Sequence, residues 1–294
     1  MSYSLMSAAS IAAPQDFIPR VVPVQGPLAL HCKALLAVEV APRPDVELQV
    51  IPHDSFVLSI QFARDGDPFR KAGERGSLAS WTHLRELPHA YRPPGDCITL
   101  FALLTPLGAV RMLRGQAQPE NGLVRLPFTH FADRAELVSL EDRLALVHDT
   151  RGRLEIFGHW LEQRLECSPP LPWQAERAAR VAMGLMRCPQ MRIDEAAEQE
   201  HVTRRQLERD FRRWMKGSPK HTALISRVQA IVRLAREGHR LASIAQFTGF
   251  ADQAHMTRTV GRIAGVSPGE LVRSARTAMS VAFHRATSGG IVYL

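Results

Sequence analysis

The sequence predicts an α+β N-terminal domain followed by an all-α domain with two helix-turn-helix units joined by a linker helix. Three observations predict it. Apolar residues alternate in short runs up to about residue 104 and recur at three- and four-residue steps in the later part of the chain. A Pro-rich break, Ser168-Pro169-Pro170-Leu171-Pro172, interrupts the chain after its first half. The charge also divides there: residues 1–171 hold 17 basic and 19 acidic side chains, whereas residues 172–294 hold 20 and 10.

With 294 residues, 45% hydrophobic and 22% charged, the chain lies in the globular range and is long enough for two cores. The boundaries read as a loose tail over 1–19, a first folded domain over 20–167, the linker at 168–172, the helical domain over 173–278 and a C-terminal tail over 279–294. The N-terminus lacks the basic start and long apolar run of a secretory signal, and no stretch is long and apolar enough for a membrane span. The four cysteines (Cys32, Cys97, Cys167 and Cys188) form no C-x-x-C pair, so they read as reduced, mostly buried thiols of a cytoplasmic protein.

In the first domain, Val46–Val50 and Phe56–Phe62 alternate as strands, the latter with Phe56, Leu58, Ile60 and Phe62 on one face. Cys97–Leu104 is a continuous apolar run of strand length, the pattern of a central strand. Ala41-Pro42-Arg43-Pro44, Asp65-Gly66-Asp67-Pro68 and Pro93-Pro94-Gly95-Asp96 punctuate turns. A helical piece is expected from about Leu107 to Gly115, and helix again through 133–166, where Leu154, Phe157, Leu161 and Leu165 recur on one face. Trp81, Tyr91 and Phe101 are candidate pocket walls that read more simply as core.

Catalysis finds no support. His53-Asp54, His83, His89, His130 and His148 share no metal-binding spacing, and no nucleophile elbow, phosphate-binding loop or dinucleotide fingerprint is present. No cofactor is implied.

Beyond the break, Thr203-x-x-Gln206, Ser243-x-x-Gln246 and Ser267-Pro268-x-Glu270 each fit a capping box, and Ser218-Pro219 is a serine cap followed by proline at the first helical position. A short helix, Ile193 to about Glu200, meets a turn at His201-Val202 and a second helix from Thr203. There Leu207, Phe211 and Trp214 fall on one face, and Arg204, Arg205, Glu208, Arg209 and Arg212 on the other, with Arg205 and Glu208 spaced to pair. The pattern repeats. Ser243–Thr248 forms a supporting helix, Gly249-Phe250 the turn, and Asp252 caps a helix from Gln253 to about Ile263. Met256, Val260 and Ile263 point inward; Gln253, Ala254, Thr257, Arg258 and Arg262 point outward. Leu224, Val228, Ile231 and Leu234 stripe the helix between the units.

The residue types on the outward faces suit duplex DNA. Arg bridges guanine O6 and N7, Glu accepts from cytosine N4, Gln reads adenine, and Ala or Thr touches a thymine methyl group. Two such helices about one DNA turn (roughly 34 Å) apart would enter successive major grooves. A helical protein-interaction adaptor that keeps this fold without reading DNA is the alternative.

The residues Ala196-Ala197-Glu198, Thr203–Phe211 and Ser218-Pro219, with Ile244-Ala245, Gly249–Arg258 and Gly265–Pro268, resemble the AraC/XylS family of transcription regulators over about 175–275. The resemblance implies base reading by Arg205, Glu208 and Arg209, then by Gln253, Ala254, Thr257 and Arg258. It implies a family core at Leu207, Phe211, Gly249, Phe250 and Met256. It also implies promoter DNA and RNA polymerase as partners, a small-molecule effector, and a homodimer formed through the first domain. Two positions depart from the pattern: Val260 stands where the family usually has an aromatic residue, and the glycine before Ser218 is displaced by one, leaving Lys216-Gly217. A weaker likeness of 104–113 and the helices to Leu165 points to the regulatory half of some members.

Overall fold

A computed structural model describes residues 20–40, 48–63, 78–82, 84, 88–91, 97–114, 123–124 and 132–274. The turns at 41–44, 65–68 and 93–96, His83, His130, the side chains of His89 and Tyr91, and both terminal tails lie outside the described residues.

The first domain is built on an antiparallel sheet of β1 (Arg20–Pro23), β2 (Cys32–Val40), β4 (Phe56–Ala63), β5 (Leu78–Thr82), β7 (Cys97–Leu104) and β8 (Leu123–Val124), in the order β1-β2-β7-β4-β5-β8. A separate ribbon pairs β3 (Leu48–Val50) with β6 (His89–Tyr91). The Cys97–Leu104 run is central, as its composition predicts: β7 pairs with β2 on one side and β4 on the other. Side chains of both parities are buried, Leu100, Ala102 and Leu104 as well as Leu103, which explains an apolar run in place of alternation. The equally apolar β2, not singled out above, is buried on both faces for the same reason. Trp81 is core, fully buried beside Phe56, with ring centroids 6.3 Å apart.

Thr105 joins sheet and helix. Its hydroxyl accepts from Gly108 N at 3.1 Å, capping α1 (Pro106–Met112), and donates to Leu30 O at 2.8 Å. Gly108 is required by close approach, because a Cβ there would lie 1.9 Å from the His31 carbonyl oxygen. The helical stretch through 133–166 resolves into α2 (Arg134–Ala145) and α3 (Thr150–Glu166), capped by Asp133 and Asp149. Leu154, Phe157, Leu161 and Leu165 are buried on α3. Ser168 donates its hydroxyl to Arg111 O at 3.0 Å, and α4 (Trp173–Arg187) follows the prolines directly.

The helical domain continues with α5 (Ile193–Gln199), α6 (Arg204–Trp214), α7 (Pro219–Arg236), α8 (Leu241–Phe247), α9 (Gln253–Ala264) and α10 (Pro268–Ser274). One apolar core runs from the sheet through α1, α3 and α4 into α5, α6 and the first half of α7. A second gathers Val228, Ile231 and Val232 of α7 with α8, α9 and α10. Val260, smaller than the expected aromatic, is completely buried there.

Three readings need correction. The Ser243 capping box does not form: α8 starts earlier, at Leu241, with Arg240 at the cap position and no side-chain cap. The Thr203 box is half made, because Thr203 accepts from Gln206 N at 3.2 Å while the Gln206 side chain turns to Asp210 and Arg209. By contrast, Ser267 and Glu270 bond reciprocally, at 2.8 and 3.3 Å. Finally, of the cysteines described, only Cys32 is buried, its thiol pushed up to about 12 by burial; Cys167 and Cys188 terminate helices and are exposed.

Candidate nucleic-acid interface

Each helix-turn-helix unit presents one long helix outward. In the first, α5 ends at a turn where His201 takes the left-handed conformation (φ 53°), and the Thr203 hydroxyl starts α6. Leu207, Phe211 and Trp214 are buried, so Arg204, Arg205, Arg209 and Arg212 are exposed and Glu208 half-exposed. Glu208 pairs with Arg204 at 3.1 Å rather than with Arg205, and Arg204 also reaches Asp194 at 3.4 Å. Arg205 and Arg212 have no hydrogen-bond or ion-pair partner among the described residues.

Asp210 lies on the inner face of α6 and is 4% exposed. It accepts from both Nε (2.9 Å) and Nη2 of Arg177, itself 2% exposed, and from Gln206 Nε2 at 2.8 Å. Gln206 Oε1 in turn accepts from Arg209. A buried ion pair thus tethers an outward arginine through one amide, and the Arg177 guanidinium also stacks 4.1 Å over Trp173. The sequence reading missed this pair. Its signal was available: Arg177 falls on the apolar stripe with Val181 and Leu185, and Asp210 between Leu207 and Trp214, so opposite charges sit on two inward stripes.

In the second unit Gly249 supplies the left-handed turn (φ 74°), and Asp252 Oδ1 accepts from His255 N at 2.6 Å to start α9. Met256, Val260 and Ile263 are buried, and Gln253, Ala254, Thr257, Arg258 and Arg262 are exposed. Arg258 and Arg262 have no partner among the described residues.

Between the units lies a cleft of about 740 Å³ whose charged lining includes Arg192, Arg204, Lys220, Arg227, Arg258 and Arg262 against one carboxylate, Asp194. Arg192, Lys220 and Arg227 were not singled out from sequence, because α5, α6, α7 and α9 bring them together only when folded. A polyanion crossing between the two outward helices meets this cationic floor. A second cavity, of about 510 Å³, opens between the two domains, lined by Leu30, Lys33, Asp54, Met183, Gln229 and Arg233 among others. Among the described residues no group of three His, Cys, Asp or Glu side chains could hold a metal ion, and His53 is buried with its Nδ1 accepting from Ser55 N at 3.3 Å. No described helix is long and apolar enough to cross a membrane.

The two outward helix faces and the cationic cleft between them form a candidate surface for duplex DNA. Residues 196–274, from within α5 to the end of α10, match the family model described as a helix-turn-helix domain. Among solved structures the chain is similar to ToxT from Vibrio cholerae O395 (TM-score 0.41, 9% identity, covering 88% of this chain and 97% of that one). It is also similar to unsaturated fatty acid-bound wild-type ToxT from Vibrio cholerae strain SCE256 (TM-score 0.39, 10% identity, 88% and 95%). No curated protein matches the chain.

Proposed function

We propose that the protein is a cytoplasmic, sequence-specific transcription regulator that reads two successive major grooves of promoter DNA with α6 and α9. One observation carries this reading: two exposed helix faces hold arginines, of which Arg205, Arg212, Arg258 and Arg262 have no partner among the described residues, and a cationic cleft lies between them. Direct readout falls to Arg205, Glu208 and Arg209 on α6 and to Gln253, Ala254, Thr257 and Arg258 on α9, with Arg204, Arg212 and Arg262 beside them. Glu208 must leave Arg204 to accept from a base, a small cost because exposed pairs contribute about 0–1 kcal/mol. The cleft takes the phosphate backbone between the grooves, so affinity falls steeply with salt.

Control enters through the first domain, by a small molecule or by dimerisation. The interdomain cavity offers an apolar wall with a few charged groups, the composition of a small-molecule site. Val138 on α2 and Leu146 just after it are exposed and available to a second copy. RNA polymerase is the expected partner at the promoter.

Selection of fragmented genomic DNA by the purified protein at near-physiological salt tests the reading. Enrichment of one motif with two contacted segments about a helical turn apart is expected. Absence of any enriched motif, with binding that vanishes as salt rises, favours the adaptor. Arg209→Ala and Arg258→Ala should each relax discrimination at one base position, by about 1–3 kcal/mol. An equal loss on specific and random DNA would instead make that arginine a phosphate clamp.

A further inference from the structure

The β3–β6 ribbon pairs apart from the six-stranded sheet, and its register sets Val50 opposite His89. Ile51, which follows β3, and Pro88, which precedes β6, therefore leave the same end of the ribbon. Both reach the second helix-turn-helix unit. Ile51 is completely buried and belongs to the apolar core of that unit; every other buried member of the core comes from residues 228–271. The Pro88 ring lies against the left-handed turn that ends α9, its Cγ 3.6 Å from where a Cβ on Gly265 would stand.

Two polar ties hold the same segment. Gln229 of α7 donates from Nε2 to Pro52 O at 2.8 Å. Lys33 donates from Nζ to Asp54 O at 2.9 Å and meets the Asp54 carboxylate at 2.8 Å. Lys33 sits where the pairing of β2 with β7 shifts register between Cys32 and Ala34, an irregularity of the kind that re-aims a side chain. The ribbon end is thus fastened to the sheet at one point and inserted into the second unit at another. Among the described residues the first unit has no such plug, and its core is continuous with the sheet through α4.

We propose that this ribbon end is a coupling element through which the N-terminal domain sets the order of the second helix-turn-helix unit separately from the first. The reason is local. Withdrawing the segment that carries Ile51 and Pro52 leaves an apolar void in the second core and strips Gln229 of its acceptor, so the cost falls on the second unit. Local stability in proteins partitions into such cooperative segments. Any event that shifts residues 50–54, which border the interdomain cavity at Asp54, shifts α9 before α6. The consequence for DNA rests on the function proposed above; the coupling itself does not.

Amide hydrogen exchange on the full-length chain tests it. Ile51→Ala should speed exchange in α8 and α9 by at least about tenfold while leaving α5, α6 and the sheet within about twofold. Gln229→Ala, which keeps the apolar plug, should give a smaller change confined to the same helices and covers the case in which Ile51→Ala fails to fold. Equal acceleration in both units, or no change in α8 and α9, overturns the proposal. On DNA, footprinting of either variant should lose the segment under α9 and keep that under α6; loss of both together also overturns it. Failure of the wild-type chain to protect any DNA counts against the proposed function, and the exchange result alone then decides the coupling.

Discussion

The two helix-turn-helix units share a plan but are held by different forces. The first is fastened to the body by polar chemistry: its outward helix buries Asp210 against Arg177 of α4, and its core is continuous with the sheet. The second has an apolar core of its own, completed by one side chain from a distant ribbon, Ile51. Their turns differ in the same sense. His201 bears a left-handed conformation that suits glycine, whereas Gly249 occupies the matching position in the second unit at no steric cost. A repeated motif therefore specifies the outward faces twice, while each copy finds its own means of attachment.

The largest break in this comparison should come from the buried pair. Asp210→Ala leaves the Arg177 charge buried without its carboxylate and should cost about 3–5 kcal/mol, read by chemical denaturation. Replacing both residues by apolar ones of similar volume should recover most of that loss. A loss below about 1 kcal/mol for the single variant would show that Arg177 finds water, and that the first unit is attached by its apolar core alone.

Next comes Trp214, 4% exposed and with its Nε1 lacking a hydrogen-bond partner among the described residues. Trp214→Ala should cost about 3–5 kcal/mol through the void it leaves. Trp214→Phe should cost much less, because it also removes the unmet donor. An unchanged melting temperature for the alanine variant would mean that α6 is rotated from the orientation described.

The turns offer opposite signs. Gly249→Ala should destabilise by about 1–2 kcal/mol, and His201→Gly should stabilise by about 0.5–1 kcal/mol. Lys216, the other non-glycine turn in the first unit (φ 50°), marks the displaced glycine and should respond to glycine as His201 does. Equal responses at His201 and Gly249 would remove the contrast between the turns.

The smallest effect is in acid. Burial alone would raise the Asp54 carboxyl, but the adjacent Lys33 ammonium and its hydrogen bond, together with His53 and a backbone hydrogen bond, more than offset this and hold it below the usual carboxylate range. A depressed carboxylate stabilises the fold above its unfolded pKa, and that stability is lost as pH falls through the folded value. Lys33→Met should flatten this part of the acid profile; a profile unchanged by the substitution would show that the pair contributes nothing.

Much of the candidate interface was legible because an amphipathic helix displays both faces at once. Leu207, Phe211 and Trp214, then Met256, Val260 and Ile263, define inward stripes, and the outward residues follow from the 3.6-residue period. Local caps were legible only where nothing competed. Ser267 and Glu270 bond as their spacing predicts, whereas α8 begins at Leu241, ahead of the Ser243 that the spacing alone had marked as its cap. The partner of Glu208 was misread because Arg204 and Arg205 both lie within reach of it along the helix, and spacing does not choose between them.

The sequence by itself determined the two classes of structure, the break in charge at the prolines and the identity of the exposed arginines. These depend on periodicity and composition within one segment. The Arg177–Asp210 pair, the cationic cleft, the interdomain cavity and the insertion of Ile51 were decided only by the tertiary structure. Each joins residues from separate elements, up to 177 positions apart in the case of Pro52 and Gln229. Periodicity within one element shows which face is buried, and only packing between elements shows what that face is buried against.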